Sequence, residues 1–154
     1  MVYRNKTYVA FDGDSDMRYY NLMKAWKQSD ATTFNFYDAH DINTALDSSS
    51  EETIKRRLSE RMASSKMFVL LVGQNTYRLT KFVKWEVQHA IKLRLPIIAV
   101  KLESSNIVPG WLSDYPYICA PFEIASVERA MTLWPAVFPR YYREGKKGPF
   151  YYND

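Results

Sequence analysis

The apolar run KMFVLLVG, residues 66–73, restricts most strongly the folds open to this chain. Its apolar residues do not alternate with polar ones, as they would in a strand with one face in water. An uninterrupted run that ends at a glycine is typical of a central parallel strand covered by helices on both faces. The sequence therefore predicts a parallel sheet at the centre of the fold.

Strand-like and helix-like segments alternate on both sides of this run. The other predicted strands are KTYVAF, FNFYD, PIIAVKL and YICAPF. The predicted helices are MRYYNLMKAWKQ, EETIKRRLSERMAS, LTKFVKWEVQHAIKLRLP and EIASVERAMTLWPAVF, and we expect the last to end early at Pro135. This order predicts an α/β fold, a flavodoxin-like open parallel five-stranded sheet with helices on both faces. We expect one domain over residues 1–139 and a basic, aromatic tail over residues 140–154.

The composition is that of an ordinary globular protein. The chain has 154 residues, of which 47% are apolar and 25% charged. Cys119 is the only cysteine, which excludes an internal disulfide framework and predicts a cytoplasmic location. No segment reaches the roughly 20 apolar residues that span a bilayer, and we see no secretory signal at the N-terminus. The net charge of +4 does not by itself indicate a nucleic-acid partner.

Glu86 is an acidic residue among the apolar positions of its helix. On a helical wheel it lies in the arc of Phe82, Val83, Val87 and Ala90, opposite the lysines. One interpretation is a glutamate at the border of the core, near a helix N-terminus that favours an anion. The other is a carboxylate that lines a cleft at the carboxyl end of the preceding strand, where burial would raise its pKa.

Several other residues are predicted near the carboxyl ends of the strands, where open parallel sheets bind ligands. Asp12 follows the first strand directly, in a DGDSD segment that is either a solvated turn or a contact to a ribose or substrate amine. Each aromatic residue here either stacks on a base or packs in the core. The candidate substrate-binding residues are Phe11, Asp12, Asp38, Asn75, Tyr77 and Trp85.

Several classes of site are excluded by missing motifs. The chain has no P-loop, no G-x-G-x-x-G after its first strand and no G-x-S-x-G elbow. A phosphoacceptor aspartate is missing after the third strand, where the sequence is VGQN, so a response-regulator receiver does not fit. His40, His89 and Cys119 lack metal-ligand spacing, so we predict no metal site.

The segment FVLLVGQNTYRLTKFVKWEV resembles the TIR (Toll/interleukin-1 receptor) superfamily, and most closely the compact bacterial TIR proteins of Thoeris anti-phage systems. Phe82, Val83 and Glu86 match the family's aromatic-Val-x-x-Glu pattern, and VAFDGDSD and FYDAHD follow the family's first two strands. The resemblance implies cleavage of NAD⁺ at the nicotinamide–ribose bond, with Glu86 as the catalytic residue and NAD⁺ as a substrate rather than a cofactor.

The resemblance also implies a biological role. The product would be a cyclic or conjugated ADP-ribose that signals to a separate effector protein in anti-phage immunity. Homo-oligomeric assembly on activation and no membrane partner are expected. Two alternatives stay open: a non-enzymatic TIR-like interaction scaffold and a nucleoside deoxyribosyltransferase-like enzyme. The tail either packs its aromatic residues on the body or a neighbouring subunit, or binds single-stranded nucleic acid, and we favour packing.

Overall fold

The computed structural model describes residues 6–28, 36–37, 50–79 and 82–152. Its strands are β1 (Thr7–Ala10), β2 (Phe36–Tyr37), β3 (Met67–Val72), β4 (Ile97–Lys101), β5 (Tyr117–Pro121) and β6 (Phe150–Tyr151). Its helices are α1 (Met17–Gln28), α2 (Glu51–Ala63), α3 (Phe82–Lys92) and α4 (Ile124–Arg143). Short 3₁₀ turns cover Thr76–Arg78 and Gly110–Leu112.

The strands form one parallel sheet in the order β2-β1-β3-β4-β5-β6. Strand β3 lies between β1 and β4, with Val69 opposite Val9 and Leu70 opposite Ala99. All six residues of β3 are buried, as expected for a central strand covered on both faces. The predicted flavodoxin-like α/β fold is therefore confirmed, and its five predicted strands correspond to β1 to β5.

The end of the chain adds an element that the sequence did not predict. Strand β6 pairs with β5 at the edge of the sheet, with Phe150 opposite Ile118. Aromatic side chains of the predicted tail pack against the core, namely Tyr141, Tyr142, Phe150 and Tyr152. These contacts are those expected of a tail that packs on the body. The predicted boundary at residue 139 falls inside α4.

The predicted end of the last helix at Pro135 is wrong, because α4 continues through Pro135 and Pro139 to Arg143. A proline inside a helix costs about 3 kcal/mol, since it removes a backbone hydrogen bond and crowds the preceding turn. The opposing stabilisation comes from the buried face of α4, which includes Met131, Trp134 and Phe138. Packing of this face on the sheet therefore outweighs the local preference of proline.

No helix in the described ranges is both long and apolar enough to cross a membrane.

Candidate functional site

The carboxyl ends of β1 and β3 form the switch point of the sheet. Strand β1 connects through α1 to β2 on one side, and β3 connects through α3 to β4 on the other. Open parallel sheets bind ligands in the crevice that such a reversal creates. A hydrogen bond of 3.2 Å from Nδ2 of Asn75 to Oγ of Ser15 joins the loops that follow the two strands. Asn75 is thus at the predicted edge.

Asp12 is buried in the turn that leads from β1 into α1. Its Oδ1 accepts the backbone N–H of Asp14 at 3.1 Å, and its carbonyl oxygen accepts the N–H groups of Ser15 and Asp16. These bonds are those of a turn that starts a helix. Asp12 and Asn75 therefore lie at the same edge of the sheet, and Oδ1 of Asp12 has a structural partner there.

The carboxyl group of Asp16 is less well hydrogen-bonded than that of Asp12. It is 4% exposed, and its Oδ2 has no hydrogen-bond partner among the described residues. Burial, and secondly the nearby charge of Asp12, raise the pKa of Asp16 to about 6. The residue lines a pocket of about 200 Å³ together with Gly73 and Glu103. Asp16 is not among the candidate residues that the sequence predicts, so this buried carboxyl group was missed.

Gly73 makes room for Asp16. A Cβ atom at residue 73 would overlap the Asp16 carboxylate, so we expect Gly73→Ala to lower the free energy of unfolding by about 1–3 kcal/mol. Urea unfolding checks this. Gly110→Ala is the matched control, because open space surrounds Gly110. Adding Asp16→Ala to Gly73→Ala should recover part of the loss. Strictly additive effects of the two substitutions would contradict this steric account.

Glu86 lies on the buried face of α3 with Val83, Val87 and Ala90, as the helical wheel predicts. It is the fifth residue of the helix, roughly 6 Å along the axis from the N-terminal end. Only 4% of Glu86 is exposed. Its Oε2 accepts a hydrogen bond from the hydroxyl of Tyr8 on β1. The side chain thus lies between α3 and the sheet.

The electrostatics of Glu86 combine two opposing effects. Burial raises the pKa of Glu86 to about 7, and the hydrogen bond from Tyr8 acts in the lowering direction. The pKa of Tyr8 is raised well above its usual value, first by burial and then by the charge of Glu86, so the phenol keeps its proton. At neutral pH, Glu86 is therefore close to the midpoint between carboxylic acid and carboxylate.

Tyr8 is the hydrogen-bond partner of the candidate residue Glu86, and the sequence did not reveal it. It was assigned only to the first strand, as one of several aromatic residues. The available signal was the position of a tyrosine in a buried strand, since a buried phenol usually requires a hydrogen-bond partner. That partner could be expected on a helix that packs against the strand. However, no local sequence pattern encodes which residues of β1 and α3 face each other.

The three candidate aromatic residues differ in their surroundings. Phe11 is buried and stacks on Tyr20 of α1, with 4.5 Å between the ring centroids. Trp85 is half-buried and stacks on His89 at 5.1 Å, with the ammonium of Lys55 at 5.6 Å. Tyr77 is 39% exposed. Phe11 and Trp85 thus make the contacts of packed residues, whereas Tyr77 is more exposed and has the guanidinium of Arg78 at 5.4 Å from its ring centroid.

The structure brings only part of the predicted set together. Asp12 and Asn75 lie at the switch point, and Glu86 lies on the face of the sheet toward which Tyr8 points. Phe11 instead contacts α1. Asp38 lies outside the described residues. Within the parts of the chain that the structure describes, no three His, Cys, Asp or Glu side chains are grouped to hold a metal ion.

Comparison with known families agrees with this architecture. Residues 8–107 match the family described as the Thoeris protein ThsB, TIR-like domain. The match begins within β1, continues through β4 and includes helices α1 to α3, and thus both Tyr8 and Glu86. The chain belongs to the TIR-like domain family of the Thoeris protein ThsB, which supports a TIR-like role in defence.

Proposed function

We propose that this protein cleaves NAD⁺ at the nicotinamide–ribose bond and that Glu86 is the catalytic residue. The observation that carries the proposal is the environment of Glu86. A buried carboxyl group lies between α3 and the sheet, with a pKa of about 7 and a phenol as its hydrogen-bond donor. Acids with strongly perturbed pKa values are frequent in active sites.

The chemistry requires a single carboxylate. The bond between ribose C1′ and the pyridinium nitrogen breaks, and its electron pair leaves with the nitrogen. Nicotinamide departs as a neutral molecule, so no general acid has to protonate it. The ribose becomes oxocarbenium-like, as in glycoside hydrolysis, and a nearby carboxylate stabilises this positive charge. A hydroxyl or other nucleophile then forms the new bond at C1′ and releases its proton. Glu86 in its ionised form would supply the negative charge.

The biological part of the proposal follows from family membership. A TIR-like domain of the Thoeris type would convert NAD⁺ into a cyclic or conjugated ADP-ribose, and a separate effector would respond to this nucleotide. Asp12 and Asn75, at the edge of the sheet, are candidates to contact the substrate. Tyr77, which is 39% exposed, is a candidate to stack on a ring of the substrate. Assembly into an oligomer on activation belongs to the same proposal.

Product analysis tests this function. Wild type, Glu86→Gln and the control Glu60→Gln are expressed in infected cells, and nucleotides in the extracts are measured by mass spectrometry. Glu60 is an exposed acid on α2, so its substitution should change nothing. We expect nicotinamide and an ADP-ribose derivative with wild type and with Glu60→Gln, and neither with Glu86→Gln. Defence without any Glu86-dependent product would favour the scaffold. Turnover of deoxynucleosides in place of NAD⁺ would favour the deoxyribosyltransferase-like enzyme.

A further inference from the structure

We propose that Tyr8 is the positioning residue of Glu86, holding Oε2 by its hydroxyl so that Oε1 faces the ribose of the substrate. This inference rests on the proposed cleavage of NAD⁺. It assigns a role in the reaction to a residue of β1, far from Glu86 in sequence. Tyr8 itself does not touch the reacting atoms, and it acts through the carboxyl group that it holds.

The ring of Tyr8 is fixed by its surroundings. Tyr8 is fully buried and stacks on Phe68, its partner in the register of β1 and β3, with 5.5 Å between ring centroids and 9° between ring planes. A ring clamped in this way places its hydroxyl oxygen at one point. The donor is therefore preorganised, and Glu86 is held in one orientation without the reorganisation that a water molecule would need.

The same hydrogen bond tunes the charge of Glu86. A donor to the carboxylate stabilises the ionised form, whereas burial favours the neutral acid. Arg61 of α2 and Tyr20 of α1 also act on Tyr8, the first lowering and the second raising its pKa. His89 on α3 bonds to Ser59, and burial followed by the charge of Lys92 lowers the pKa of His89.

The substitution Tyr8→Phe removes the donor and keeps the ring. The rate of nicotinamide release should rise with pH as Glu86 ionises, with a midpoint near its pKa of about 7 in the wild type. Loss of a hydrogen bond to a charged group should move this midpoint upward by about one to two pH units. At neutral pH the rate should fall about five- to fiftyfold, and much of it should return at alkaline pH.

Tyr115→Phe is the matched control. The hydroxyl of Tyr115 is also buried and donates a hydrogen bond of 2.8 Å, but to the carbonyl oxygen of Leu95. This substitution removes the same group from the protein interior without touching Glu86. We expect Tyr115→Phe to leave the midpoint of the pH profile unchanged, so that a general effect of losing a buried hydroxyl is separated from the effect on Glu86.

A second substitution, with the opposite expected effect on the pKa of Glu86, keeps the proposal testable if Tyr8→Phe does not fold. Replacing Tyr8 by 3-fluorotyrosine keeps the shape of the side chain and makes its hydroxyl a stronger donor. The midpoint of the pH profile should then move downward. The pKa of Glu86 can also be measured without an assay of activity, by labelling its carboxyl carbon with ¹³C and titrating by NMR. This pKa should be lowest with fluorotyrosine, intermediate in the wild type and highest in Tyr8→Phe.

These measurements separate two failures. If the wild type releases no nicotinamide in infected cells, the proposed function is wrong, while the NMR titration still tests whether Tyr8 controls Glu86. If nicotinamide is released but Tyr8→Phe lowers the rate equally at every pH and leaves the titration of Glu86 unchanged, the positioning role of Tyr8 is overturned.

Discussion

The stability of the Glu86→Gln variant relative to the wild type is expected to increase by roughly 3 kcal/mol as the pH rises from about 4 to about 8. The reason is the cost of a buried negative charge. The folded protein raises the pKa of Glu86 from 4.5 to about 7, and each pH unit of such a shift corresponds to about 1.4 kcal/mol. Glutamine has no charge to bury, and its carbonyl oxygen can still accept the hydrogen bond from Tyr8.

The direction of this pH dependence follows from proton binding. Glu86 binds its proton more tightly in the folded than in the unfolded chain, so it favours folding at low pH. That contribution is lost as the pH rises from about 4.5, where the unfolded chain ionises, to about 7, where the folded protein does. Urea unfolding of both proteins across this range measures it, with Glu60→Gln as the control. A constant difference between Glu86→Gln and wild type would contradict the buried charge.

The substitution Trp134→Ala is expected to lower the free energy of unfolding by roughly 3–5 kcal/mol, the range for removing a large buried aromatic residue. Trp134 is 1% exposed and contacts Phe138, Tyr141 and Phe150. Its ring therefore connects the middle of α4 to the end of α4 and to β6. Its loss should loosen the C-terminal residues as well as leave a cavity.

Denaturant unfolding and amide hydrogen exchange measure the two effects of Trp134→Ala. The amides of β6 should exchange faster than in the wild type, beyond the change in global stability. Leu133→Ala is the matched control: it lies on the same helix, one residue away, but is 42% exposed, and we expect a change within about 0.5 kcal/mol. A similarly small effect of Trp134→Ala would mean that the C-terminal packing does not stabilise the fold.

The central part of the fold was predictable because its residues carry their signal locally. The run in β3 is apolar at each of its six positions, MFVLLV, which only a doubly covered strand requires. The helix that contains Glu86 was predictable from the spacing of Val83, Val87 and Ala90, and the same spacing placed Glu86 on the buried face. The edge that carries Asp12 and Asn75 followed from the rule for parallel sheets.

The remaining features depend on contacts between distant parts of the chain. Helix α4 passes Pro135 because Trp134 and Phe138 are buried on the sheet, which no local preference of proline can indicate. Strand β6 has two residues and forms only because β5 offers a free edge. The bond between Tyr8 and Glu86 joins residues 78 positions apart. Sequence patterns therefore predict which residues are buried more readily than they predict which buried residues contact each other.

The rate of nicotinamide release from NAD⁺ by the assembled protein, compared between wild type and Glu86→Gln, is the most direct measurement. Removing the group that stabilises a developing positive charge typically lowers the rate by a factor of about 10²–10³ or more. We predict a loss of at least this size for Glu86→Gln, in a variant that is folded and more stable above neutral pH. Glu60→Gln should match the wild type. Release of nicotinamide by Glu86→Gln at the wild-type rate would contradict the assignment of Glu86 as the catalytic residue.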